Sequence, residues 1–204
     1  MNTTANINPG DSRPTIWTHV LSAIVILAAM LAMRAEGRVW WCACGRTNLW
    51  VSDIWSEHCS QHLLDAYTFS HICHGLVFYG LLVWLPFKYR RPGFGWVLFI
   101  ATLVECAWEV LENSPLVINR YRAETISIGY TGDSVINSLA DILACVVGVL
   151  IARMLGFWKT LALFLIIEIT MLIWVKDNLT LNVIMLVWPI EAIKQWQSAG
   201  HVPV

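Results

Sequence analysis

Apolar residues fall in long blocks along this chain, without the alternation of strands or the narrow stripes of soluble helices. The blocks run from Thr15 to Met33, Ala66 to Phe87, Gly95 to Asn113, Ser134 to Leu155, Trp158 to Val175 and Leu179 to Trp196. Each is close to the roughly 20 residues that cross about 30 Å of hydrocarbon at about 1.5 Å per residue. Pro189 and Glu191 interrupt the last block, and a proline both removes a backbone donor and clashes with the preceding turn. The pattern predicts an all-α fold: a polytopic transmembrane bundle of five to six helices, forming one integral membrane domain over residues 1–204. The first block exceeds the roughly 7 to 15 residues of a signal-peptide core and lacks a small-residue cleavage site, so a retained helix is predicted.

Composition points the same way. Hydrophobic residues make up 57% of the chain and charged residues 13%, against about 25% charged in soluble domains. Many of the twelve tryptophans lie near block ends, where an amphipathic ring suits the headgroup level. A net charge of −1 leaves no electrostatic footprint for a nucleic-acid partner. Lys88, Arg90 and Arg91 follow the second block, Arg153 and Lys159 join the fourth to the fifth, and Arg13 and Lys194 fall on the same side of a six-helix chain. By the positive-inside rule this side is cytoplasmic and holds the N-terminus. The segments 34–65, 113–133 and 176–178 then face the periplasm or cell exterior, although five arginines there soften the contrast.

Ionisable residues inside the blocks carry the chemistry. His71 and His74 lie near the outer start of the second block, about 60° apart around a helix axis. Glu105, Glu109 and Glu112 share a stripe near the outer end of the third, and Asp133, Asn137 and Asp141 share one at the outer start of the fourth. These stripes are predicted to meet within roughly 10 Å of one membrane face. A charge in hydrocarbon costs at least about 2.5 kcal/mol, so such residues turn inward and pair or bind something. His62 and Asp65 precede the second block in an HxxxHxxD run begun by His58, and imidazole with carboxylate is a common zinc or iron donor set.

The expected metal ligands of one divalent zinc or iron ion are therefore His62, Asp65, His71, His74, Glu105 and Glu109, with Glu112 or Asp133 as catalytic base. Arg120 and Arg122, flanking Tyr121, suit capture of a lipid phosphate, with Asn137 beside them. Membrane lipids are the expected partners, alongside a second copy or another membrane protein. Two readings stay open: a metal-dependent hydrolase or transferase acting on a lipid or lipid-linked substrate, and a non-catalytic assembly factor, lipid-binding module or complex subunit built on a structural polar network. A haem site would need axial ligands on two helices, and His19 lies toward the opposite face. Cys42, Cys44 and Cys59 share the first outer segment and permit a disulfide. Cys73, Cys106 and Cys145 read as small packing residues. Glu168 stands alone in the fifth block, and spacing does not assign it.

The segments WCACG (Trp41 to Gly45), SQHLLDAYTFSHICHG (Ser60 to Gly75), ECAWEVLENSP (Glu105 to Pro115) and NRYRAETISIGYTGDSVINSLADILA (Asn119 to Ala144) resemble a family of bacterial inner-membrane proteins known only as a domain of unknown function. The resemblance spans most of 41–152 and implies a membrane location without an activity. Glu109, Arg122 and Asp133 with Asn137 are also similar to the acidic residue, loop arginine and DxxxN pattern of VanZ-type membrane proteins, which implies an envelope or lipid-related role. Ser70 and His74 look like the SxxxH of membrane hydrolases related to alkaline ceramidases, although the HxxxH here, His58 to His62, comes before it.

Overall fold

A computed structural model describes residues 16–85 and 92–199. Thr15, Pro86, Phe87, Arg13, Lys88, Arg90 and Arg91, which carry two expected helix ends and part of the orientation argument, lie outside the described residues.

The described chain is mainly helical, with α1 (Ile16–Ala35), α2 (Thr68–Tyr79), a π-helical turn (Gly80–Trp84), α3 (Phe94–Glu112), α4 (Pro115–Glu124), α5 (Val135–Leu155), α6 (Phe157–Val175), α7 (Leu179–Val187) and α8 (Glu191–Ser198). Two short parallel strands, β1 (Trp50–Val51) and β2 (Leu64–Asp65), lie between α1 and α2. Among the described residues four helices, α1, α3, α5 and α6, are long and apolar enough to cross a membrane.

Two expected spans differ from their sequence blocks. The second forms α2 followed by the π turn. The sixth divides at Trp188–Ile190 into α7 and α8 because Pro189 cannot continue the backbone ladder. Within 113–133, read as a connection, the chain forms α4, with Pro115 at its first position, where a missing N–H costs nothing.

Helix α5 lies at the centre and packs against α1, α2, α3 and α6, most extensively against α2. Glycines set that crossing. A Cβ on Gly75 would lie 2.0 Å from the carbonyl oxygen of Cys145, and one on Gly148 would lie 2.1 Å from that of Ile72. Helices in hydrocarbon gain little from apolar burial alone, so backbone-close packing over small residues is what binds them. His71 lies one turn from Gly75, so the close approach also brings it toward Asp141 of α5. Below, Phe94, Val97, Ala101 and Val149 form a dry core, while Ala29, Cys106 and Ile142 join α1, α3 and α5.

The segment between α1 and α2 folds over the start of α5. Carbonyls of Ser60, Val39 and Trp40 accept from the backbone N–H groups of Ser134, Val135 and Ile136, and the Ser134 hydroxyl accepts from Asn137 N–H. These bonds satisfy donors that a helix start leaves unpaired. Gln61 Nε2 and the Arg38 guanidinium add bonds to the carbonyls of Gly132 and Thr131.

A candidate histidine and carboxylate site

Three helices deliver their ionisable residues to one place. Glu105 Oε1 lies 2.6 Å from His71 Nδ1 and 3.0 Å from His74 Nδ1, and Oε2 lies 2.9 Å from His74 Nδ1. A carboxylate only accepts, so both Nδ1 atoms carry a proton, and each Nε2 keeps a lone pair where its ring is neutral. His71 Nε2 looks toward Asp141, with Oδ2 at 3.9 Å. On its other side His71 Nδ1 is 3.3 Å from Glu109 Oε1, outside hydrogen-bond geometry.

Donor atoms of His71, His74 and Glu105 all lie within 4.8 Å of one another, as do those of His71, Glu109 and Asp141, and those of Glu109, Glu112 and Asp133. His71 and Glu109 thus link three triads into one chain of ligand-type atoms. Glu105 and Glu109 are fully buried. Neither oxygen of Glu109 has a hydrogen-bond partner, nor does Asp141 Oδ1. Buried polar atoms left in this state are uncommon and costly. A cation among them would satisfy these oxygens, so the donor set fits a divalent metal.

Asp133 is fixed from the end of α3: Asn113 Nδ2 donates to its Oδ2 at 3.0 Å, and its own N–H donates to Asn113 Oδ1 at 2.6 Å. Burial raises the Asp133 carboxyl to about 6, against the opposing pull of Asn113. That value suits a base working near neutral pH. A cavity of about 390 Å³ opens on the cluster, lined by His71, His74, Glu112, Asp133 and Asp141, with Trp108 among its apolar lining.

The other expected site residues lie elsewhere. His62 packs against His58, ring centroids 5.5 Å apart, with Nε2 3.7 Å from Cys44 Sγ. Asp65 accepts from the backbone N–H groups of Ser60 and Tyr67 at 2.9 and 2.7 Å. Asn137 Nδ2 donates to Asp65 Oδ2 at 3.4 Å. Both residues therefore shape the turn before α2, and burial raises the Asp65 carboxyl. Arg120 donates to the carbonyl of Leu186 and to Glu124 Oε1. Arg122 donates from Nε to the carbonyl of Tyr130 at 2.5 Å. Neither arginine lines the cavity, whereas Tyr121 and Tyr130 do. Asn113, four residues after Glu109, continues the Glu105–Glu109 stripe; the tyrosines give no periodic signal, and only the fold brings them to the carboxylates.

Residues 33–199 match the family model described as "Protein of unknown function (DUF2585)". The chain belongs to the DUF2585 family. It is 49% identical over 176 residues to a UPF0314 protein of Paracoccus denitrificans, covering 86% of this chain and 90% of that one. A UPF0314 protein of Rhizobium meliloti is 46% identical over 187 residues, covering 91% and 92% of the two chains. Another from Agrobacterium fabrum is 42% identical over 197 residues, covering 97% and 98%. No solved structure matches. The matched region takes in every residue of the cavity cluster.

Proposed function

We propose that this DUF2585 protein is a membrane-embedded, metal-dependent hydrolase or transferase acting on a lipid or lipid-linked substrate at the outer leaflet of a bacterial inner membrane, with its N-terminus cytoplasmic. The observation that carries the reading is Glu109: a fully buried carboxylate, both oxygens without a hydrogen-bond partner, beside His71 and behind a cavity wall. A packing network ordinarily gives such a group hydrogen bonds, because a buried carboxylate without them is costly.

His71 and His74, oriented through Nδ1 by Glu105, present Nε2 as ligands, which is the carboxylate–histidine arrangement common around bound metals. Glu109 and Asp141 form a second ligand-type group with His71, so an ion on His71 would have both neighbour sets within reach. A divalent zinc or iron ion held there would supply Lewis acidity toward an acyl or phosphoryl oxygen. Asp133, in contact with Asn113, would take the proton from the attacking water or hydroxyl, with Glu112 beside it. The mixed polar and apolar cavity suits an amphiphile, Trp108 meeting its apolar part. Arg122 acts by holding the Tyr130 backbone at the cavity wall.

The complete hydrogen bonding of Glu105 favours a second reading, in which the cluster is a non-catalytic binding pocket or helix tie. Full-length protein purified in detergent, incubated with a bacterial lipid extract and followed by mass spectrometry, separates the two. Conversion of a lipid that is lost in Glu109→Gln and Asp133→Asn variants of unchanged folded yield is expected. Wild-type protein with no metal at these residues and no conversion would leave the second reading standing.

A further inference from the structure

Outside the cavity cluster, a second group of ligand-type side chains has a different chemistry. Cys42 and Cys44 lie on the turn after α1, and His58 and His62 on the turns before β2. Donor atoms of all four lie within 4.8 Å of one another. We propose that Cys42, Cys44, His58 and His62 bind one zinc-class divalent ion in a closed, structural site that ties the 42–46 turn to the 58–62 turn.

The distances support a single tetrahedral ion. Bonds of about 2.3 Å to sulfur and about 2.0 Å to nitrogen place cis sulfur and nitrogen ligands roughly 3.5 Å apart in a tetrahedron. Cys42 Sγ is 3.5 Å from His58 Nδ1, and Cys44 Sγ is 3.7 Å from His62 Nε2. The two sulfurs are 2.8 Å apart and would part by about 1 Å to span adjacent tetrahedral positions. Each sulfur also accepts a backbone N–H: Cys42 from Cys44, and Cys44 from Arg46, both at 3.5 Å. Such bonds stabilise a ligating thiolate. Two thiolates with two imidazoles in a tetrahedron select zinc over calcium or magnesium. A cluster of two irons would spread its ligands further than these are.

His62 points the same way. It is 1% exposed, its Nε2 meets only a sulfur, and its Nδ1 has no partner. A buried imidazole so poorly satisfied is expensive as a packing residue. Ser60, between the two histidines, adopts φ 60°, a left-handed conformation costly for a residue with a side chain. Its N–H is held by Asp65 and its carbonyl caps Ser134 at the start of α5. Cys59 and Ser60 also line the cavity, so an ion on the flanking histidines would fix the wall over the carboxylate cluster. This zinc site does not depend on the lipid chemistry proposed above.

The test uses full-length protein purified in detergent with reductant, stripped by chelator and titrated with Co(II). One equivalent giving tetrahedral visible bands with thiolate-to-cobalt charge transfer is expected. These features should vanish in Cys42→Ser/Cys44→Ser and persist in His71→Ala/His74→Ala. Bound zinc should fall by one per chain in the cysteine variant, whatever ion the histidine variant loses from the cavity cluster. Wild-type Co(II) spectra without thiolate charge transfer would overturn the proposal even if the cysteine variant does not fold. A Cys42–Cys44 disulfide in protein isolated without reductant, together with unchanged zinc in the cysteine variant, would also overturn it.

Discussion

Glu109 and Glu168 are both buried glutamates within helices long and apolar enough to cross a membrane, yet their surroundings are opposite. Glu168 of α6 accepts from the backbone N–H groups of Leu179 and Thr180, each at 3.0 Å, one bond to each carboxylate oxygen. Asn178 completes the corner by donating to the Glu168 carbonyl and accepting from Leu181 N–H. Glu168 therefore caps α7, using the orphan donors that every helix start carries. Glu109 has comparable burial and no such partners. One carboxylate is fully hydrogen-bonded by the fold, and the other has only the ion-pair distance of 3.3 Å to His71.

The largest expected effect removes the frame in which only one of them sits. A Cβ at Gly148 would meet the Ile72 carbonyl at 2.1 Å, and neither backbone can yield without separating α2 from α5. Gly148→Val is expected to abolish monodisperse folded protein, read by size-exclusion chromatography in detergent. A fully folded variant would mean that the α2–α5 approach does not position His71.

Next comes the cap itself. Glu168→Ala leaves two helix-start donors buried and unpaired, at about 1.5 to 3 kcal/mol for each charge-assisted bond, and should cost about 3 to 5 kcal/mol. Thermal unfolding in detergent measures it. A loss below about 1 kcal/mol would show that water replaces the carboxylate and would weaken the contrast with Glu109.

Asp177, outside the spans, lies between the two extremes. It accepts from Tyr67, Gln197 and the Asn178 N–H, yet burial still raises its carboxyl to about 6 from an ordinary 3.8. The folded state therefore prefers the protonated form. The stability this contributes is complete below about pH 4 and lost as pH rises through 6, up to about 3 kcal/mol for a shift of about two units. Subtracting the unfolding curve of Asp177→Asn from that of wild type, between pH 4 and 7.5, should give this slope. A flat difference would mean that the three donors fully offset burial.

How far these roles could be read in the sequence depends on the range of the signal. Apolar block length gave α1, α3, α5 and α6 nearly to the residue, because a hydrocarbon slab sets one requirement on a contiguous stretch. Helical spacing also brought His71, His74, Glu105, Glu109 and Asp141 to one end of the bundle. It could not separate Glu109 from Glu168, since satisfaction depends on backbone donors contributed by a turn distant in sequence. The same limit hid the company of His62, expected with the helix ligands although its neighbours Cys42 and Cys44 lie across β1; the break at Pro189 could be anticipated, while the helix α8 beyond it could not.

The smallest expected change in stability falls on Glu109 and sharpens the comparison most. An amide is nearly isosteric with the carboxylate and has no charge to desolvate, so Glu109→Gln should alter unfolding by less than about 1 kcal/mol in metal-free protein, or stabilise it, as when buried charges are replaced by neutral groups. With metal present the difference should reverse, because a ligand that binds only the folded state adds stability and the variant lacks a charged donor. The measurement is the metal-induced shift in melting temperature of wild type and variant, in protein whose cysteine and histidine group outside the cavity is already loaded. Destabilisation of the metal-free variant on the scale of Glu168→Ala would show that Glu109 has a structural partner, and the asymmetry between the two glutamates would then say nothing about function.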